Sequence, residues 1–312
     1  MAARRMPGNF ASAKLVALVV TALSREDGSL LPPDALSVDP MRDALVDPAA
    51  KRSIIDHAYR KGGAAPLLRV GRSLADHARD PTIAALVASP DPAVLAQKWM
   101  RFESYHHSAN RTVIEVGEKG FDCRRSAQSG MPTASENVLI CGVIAGLLSL
   151  IGARAIMVEI GGRKAESALN FETGSLDDAK TSLFHIRWEG FEAIETDASE
   201  APIGDADGSP HKRLWGLLAR DPGRNWHVGE AARALGLSSR SLQRALAAEN
   251  RSFSSVVREI RYGQAGRMLR RTETPLAEIG YCCGYADQAH FQRDFLRACN
   301  MTPASFREIS HG

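Results

Sequence analysis

Two short echoes carry side chains of the kind that read base edges. Leu242-Gln243-Arg244-Ala245-Leu246 returns 49 positions later as Phe291-Gln292-Arg293-Asp294-Phe295. On a helix the two apolar residues of each echo, four apart, stack on one face, and the Gln-Arg pair between them points away from it. Arginine can bridge guanine O6 and N7, and glutamine can bridge adenine N6 and N7, each good pair discriminating by about 1–3 kcal/mol. With neighbours at helical spacing, the candidate base-reading residues are Arg240, Gln243 and Arg244 in the first copy and Gln288, His290, Gln292 and Arg293 in the second. Ala289, the counterpart of Arg240, offers a thymine no more than a methyl contact.

The elements that must position these side chains repeat as well. Ala231-Ala232-Arg233-Ala234-Leu235-Gly236-Leu237-Ser238 reads as a short helix, a glycine that tolerates left-handed geometry, and a serine able to cap the next helix. Ile279 to Asp287 repeats that design around Gly284, and Ala232 and Gly280 are small where two helices must cross closely. Each copy is thus a helix-turn-helix unit. Between them, Phe253 to Arg271 predicts a helix with Val256, Val257, Ile260, Ala265 and Met268 on its apolar side. As a rigid spacer it would set the two reading helices in successive major grooves, about 34 Å apart. Its arginines, Arg258, Arg261, Arg267, Arg270 and Arg271, line the remainder, and some are expected on phosphates. Charge agrees: residues 211–312 hold 16 Lys and Arg against 9 Asp and Glu, 15 of the 16 being Arg, whereas the preceding 210 residues are net acidic.

These residues resemble the C-terminal DNA-binding domain of the AraC/XylS transcriptional regulators. The resemblance rests on Ala232, Leu235, Gly236, Ser238, Leu242 and Arg244, then on Ile279, Gly284, Tyr285, Asp287, Gln288, Phe291, Arg293 and Phe295, and closes with Thr302-Pro303 and Phe306-Arg307. It covers roughly the last 100 residues. Gly280 stands where the family usually has Ala, and Ala286 where it usually has Ser, which removes one N-cap unless Asp287 takes it over. The resemblance implies promoter or operator DNA as partner, with RNA polymerase, a small-molecule effector and a second copy of the chain as further ones. It implies neither a cofactor nor a metal, and a cytoplasmic protein that is not an enzyme.

The expected fold class is α+β, a mixed α/β sensing domain over 1–196, a Gly/Pro-rich linker over 197–210, and an all-α tandem helix-turn-helix domain over 211–312. In the first part, helical spacing runs through Ala13–Leu23 (helix or strand), Arg52–Arg79 with Gly62-Gly63 dividing two helices, and stretches opened by Pro81 and Pro92. Period-two alternation predicts strands at 112–117 and 121–124, then at 154–160 and 182–191. Between these pairs, Ala134–Ile151 is apolar nearly all round and predicts a buried central helix. No stretch is expected to approach the ~20 apolar residues of a membrane span. The Ser89-Pro90-Asp91-Pro92 helix opening, the Tyr105-His106-His107 helix end and the following strand resemble the helical and stranded sensing domain of one branch of the same regulators. That content does not suit the cupin barrel of the arabinose-responsive type.

The first part offers further candidate chemistry. Trp99, Tyr105, His106 and His107 lie on a helix expected beside the apolar 134–151 helix, and could supply polar handles to a mostly apolar ligand pocket or else complete the core. Glu103 with His106 at i+3 is half of a di-iron helical pair, but no second Glu-x-x-His accompanies it. Five scattered cysteines, Cys123, Cys141, Cys282, Cys283 and Cys299, lack paired metal spacing and suit a reduced compartment. Arg4-Arg5 before an apolar run has the order of a signal peptide, although Lys14 abuts that run and a buried helix or strand explains it. Two alternatives stay open: an N-terminal half that only dimerises, and a repair-type enzyme using a reactive cysteine such as Cys123, followed by Arg124-Arg125.

Overall fold

Asp-Pro pairs at 47–48, 80–81 and 91–92 open three helices of the N-terminal part, and one nearly all-apolar helix is buried in its core. The computed structural model describes residues 11–33, 45–78, 80–106, 110–127, 131–165, 176–194 and 209–311. Two compact units result, Met1–Ile194 and Glu195–Gly312. The linker expected at 197–210 lies, up to residue 208, outside the described residues.

The N-terminal unit runs β1 (Ala11–Ser12), α1 (Ala13–Glu26), β2 (Leu45–Val46), α2 (Pro48–Gly62), α3 (Ala64–Arg69), α4 (Pro81–Val87) and α5 (Pro92–His106). There follow β3 (Asn110–Gly117), β4 (Gly120–Ala127), α6 (Ala134–Ile151), β5 (Ala153–Arg154), β6 (Met157–Ile160), β7 (Arg163–Ala165), α7 (Asp178–Thr181), β8 (Leu183–Arg187) and β9 (Gly190–Phe191). Asp47 and Asp80 cap α2 and α4, each with a proline at the first turn, where its missing N–H costs nothing. At the far end of α4 the ammonium of buried Lys98 donates to the carbonyls of Ala85 and Ala88 at 2.8 and 2.7 Å, satisfying acceptors that a helix end leaves open.

Strands β3, β4, β8, β6 and β7 form one antiparallel sheet in that order. Its registers bring Ile114, Cys123, Phe184 and Ile160 into one buried row, and Phe121, Ile186, Val158 and Ala165 into another. This face packs on α6, whose ends are fixed by a Thr133–Glu136 capping box and a left-handed Gly152. Helix α6 has the length and composition of a membrane span, which corrects the expectation that no stretch would, yet 72% of it is buried inside the protein. It crosses the α3 region at backbone contact: a Cβ on Gly142 would stand 2.4 Å from the Leu68 carbonyl oxygen, and one on Gly71 2.0 Å from that of Gly142.

Two expected strands are broken. The stretch 154–160 divides at Ala155, whose φ of 50° turns the chain, so that β5 pairs with β9 while β6 pairs with β8 and β7. The stretch 182–191 divides at Trp188-Glu189, where the Trp188 N–H turns to the Lys119 carbonyl at 3.2 Å.

The C-terminal unit is helical throughout: α8 (Pro210–Ala219), α9 (Val228–Ala234), α10 (Ser239–Ala248), α11 (Phe253–Arg271), α12 (Leu276–Cys282), α13 (Gln288–Cys299) and α14 (Pro303–His311). Helix α8 therefore begins one residue ahead of the expected domain boundary. Leu214, Leu218, Ala231, Ala232, Leu242, Leu246, Val256 and Ile260 form the core joining α8, α9, α10 and the start of α11. Tyr285, Phe291, Phe295 and Phe306 form a chain of ring contacts with centroids 5.1–5.7 Å apart, tying α13 to α14.

Candidate nucleic-acid interface

Helix α10 starts where Ser238 accepts a hydrogen bond from the Ser241 N–H at 3.0 Å, and Gly236, at φ 71°, makes the turn before it. Leu242 and Leu246 are fully buried, and Arg240, Gln243 and Arg244 are exposed on the opposite side. In the second unit Gly284 turns at φ 82° and Asp287 takes over the cap that Ala286 cannot provide, accepting from the His290 N–H at 2.7 Å. Phe291 and Phe295 are fully buried, and Gln288, Gln292 and Arg293 are exposed. His290 differs from its neighbours: it is half-buried, with its ring edge-on to Tyr285 at 5.4 Å.

The arginines of α11 do not all face outward. Arg258 pairs with Asp294 of α13 at 3.3 Å, and the Arg261 guanidinium stands 5.9 Å from the Tyr285 ring with its Nε buried. Arg267 donates to Gln264 on its own helix, Arg270 is exposed 5.8 Å from the Phe306 ring, and Arg271 is exposed. Elsewhere Arg224 pairs with Glu230 while stacking on Trp226 at 4.3 Å, and Arg213 donates to the Leu235 carbonyl. A guanidinium has five donors and finds acids and carbonyls wherever helices meet. Several cations counted toward the basic surplus therefore brace the fold.

In the N-terminal unit Trp99 and Tyr105 are buried, at 2% and 5% exposure, with the Trp99 and Phe102 rings 5.4 Å apart. The side chain of His106 and the whole of His107 fall outside what is described. The two described cavities, about 480 and 440 Å³, are lined by neither Trp99 nor Tyr105. Glu103, weighed above as a metal ligand, is spent inside the core. It accepts from the Thr112 N–H at 2.5 Å, the Thr112 hydroxyl at 2.8 Å and Arg125 at 2.6 Å. Arg125 also donates to Asn137 of α6 at 3.3 Å, so the ion pair ties α5, the sheet and the central helix together. No cluster of His, Cys, Asp and Glu suited to a metal occurs among the described residues.

Residues 231–309 match a family model described as a helix-turn-helix domain. Transcriptional regulator SirC of Salmonella typhimurium is 34% identical over 101 residues, 32% of this chain and 34% of that protein. The urease operon transcriptional activator of Escherichia coli is 33% identical over 91 residues, 29% of this chain and 31% of that one. This chain thus spans about a third of the length of the curated relatives it matches. Among solved structures, transcriptional regulator CdpR from Pseudomonas aeruginosa aligns with 95% of this chain and 98% of its own at 15% identity and a TM-score of 0.39.

Proposed function

We propose that this chain, whose C-terminal part is a helix-turn-helix domain of the AraC/XylS family, is a sequence-specific transcriptional regulator reading two successive major grooves. The observation that carries this reading is the pairing of two capped helices that bury one apolar face each and turn Arg240, Gln243 and Arg244, and Gln288, Gln292 and Arg293, to solvent. His290 serves in this reading as a partly buried flank of the second helix. Domain bounds of 1–196 and 211–312 with a linker over 197–210 complete the scheme. To test it, the full-length protein selects duplexes from a random library. The expected result is two short motifs roughly 10 bp apart, bound with an affinity that falls steeply as salt rises. Selection of no sequence, or of one motif alone, defeats it.

In this reading the N-terminal unit senses a small molecule, with contacts from Trp99, Tyr105, His106 and His107. In its favour, the Trp99 Nε1 is buried with no hydrogen-bond partner among the described residues, a donor that a bound acceptor would satisfy. A metabolite that binds the folded chain must raise its melting temperature, and Trp99→Phe, which removes that donor and keeps a smaller aromatic ring, should weaken the shift. RNA polymerase and a second copy of the chain are the remaining proposed partners, and the cytoplasm the proposed location. The repair-enzyme alternative is disfavoured at Cys123, a buried thiol whose pKa is pushed far up, first by burial and then by the Asp122 charge, which keeps it from acting as a thiolate nucleophile.

A further inference from the structure

One acid breaks the likeness between the two reading helices. Asp294 sits on the packed face of α13 between Phe291 and Phe295, 7% exposed, where the first unit has Ala245. A carboxylate in that position is costly unless paired. Its partner comes from the spacer helix, Arg258 Nε of α11 at 3.3 Å. The fully buried Tyr285 belongs to the same corner, its phenol pKa pushed up first by burial and then by the Asp294 charge. Two phenylalanines can bury α13 in several nearly equal poses, since apolar contact is not directional. A charge pair between two helices has one best geometry. Arg293, the strongest base-reading candidate of the second unit, is the residue adjoining that pair.

We propose that Asp294, held by Arg258, is a positioning residue that fixes the rotation of the second reading helix against the spacer helix and so aims Gln292 and Arg293. The inference rests on the DNA-reading function proposed above. Arg258 is in this account a strut between two helices and not a phosphate contact. Sequence readout in the second half of the site depends on the strut, while phosphate binding does not.

The test uses full-length protein and duplexes that the wild-type chain selects from a random library, together with versions in which either half-site is scrambled. Asp294→Asn and Arg258→Gln should each lower discrimination at the second half-site about tenfold, leave the first unchanged, and preserve affinity for fully scrambled duplex. The double variant should lose little more than either single one, because both remove the same interaction. Should Asp294→Asn unfold the domain, Arg258→Gln carries the test, since that side chain is 59% exposed and its loss leaves no hole. The proposal is overturned if Arg258→Gln weakens all duplexes alike and lowers the salt slope by about one, the mark of a phosphate contact. It is equally overturned if both variants discriminate as the wild type does. A wild-type chain that selects no sequence defeats the function proposed above, and this inference with it, and is distinguished from the other two outcomes by the absence of any selected duplex.

Discussion

The first helix-turn-helix unit stands open at its turn, and the second is wedged. A Cβ added to Gly236 would meet nothing within 4 Å, whereas one added to Gly284 would stand 2.4 Å from the Pro222 carbonyl oxygen and 3.0 Å from Arg261 Nε. Pro222 lies between α8 and α9, so the turn of the second unit is pressed against the loop that leads into the first. The first unit packs through aliphatic side chains around Leu242 and Leu246, the second through stacked rings and an ion pair. One sequence pattern has been built into two mechanical roles. The first copy shares an aliphatic core with α8 and the start of α11, and the second adds an ion pair to α11 and a backbone contact at Pro222.

The largest effect that would sharpen this contrast is at the glycines. Gly236→Ala meets only the left-handed backbone penalty, about 1–2 kcal/mol. Gly284→Ala meets that penalty plus a backbone clash, a further cost of about 1–3 kcal/mol. Hydrogen exchange of the amides in α12 and α13, compared with those in α9 and α10 of the full chain, reads the two losses separately. Equal losses would show that the Pro222 contact gives way freely and that the second unit is not wedged.

Next come the residues proposed to read bases. Arg244→Ala and Arg293→Ala should each relax base preference by about 1–3 kcal/mol, in different half-sites roughly one helical turn apart. Arg270→Ala, by contrast, should weaken all sequences alike, because that exposed arginine stands on the spacer helix beside the Phe306 ring and on neither of the two proposed reading helices. Uniform losses from all three would dissolve the distinction between reading and anchoring positions.

Periodicity made much of this legible. The spacer helix Phe253–Arg271 and the central helix Ala134–Ile151 have the ends their patterns imply, since each shows a full apolar face and a clear cap. The proposed substitute cap at Asp287 is present because an aspartate beside a missing serine has one obvious use. What pattern could not supply was long-range pairing. Arg258 looks like any other arginine on a helix, and it meets an acid 36 residues away. The signal that could have found it was Asp294 itself, an acid three residues after Phe291 and therefore on the face that packs. Glu103 is a similar case: its i+3 histidine suggested metal chemistry, but its partners lie on β3 and β4. The broken strand at Ala155 carries no glycine to announce its positive φ.

The smallest test separates the two caps. Ser238 is a neutral cap of α10, and Ser238→Ala should cost about 1 kcal/mol at that helix start. Asp287 brings the same kind of hydrogen bond and also a charge at the positive end of the α13 dipole, so Asp287→Ala should cost that amount plus about 0.3–1 kcal/mol. Asp287→Asn keeps an acceptor and drops the charge, and should cost the dipole part alone. The same charge lies at the start of a helix proposed to enter a groove lined by phosphates, so its removal should strengthen DNA binding while the isolated protein loses stability. Amide exchange at His290 reads the cap, and binding to a selected duplex at two salt concentrations reads the charge. If Asp287→Asn costs nothing and leaves DNA affinity unchanged, the charge contributes to neither, and the two units are capped in the same way.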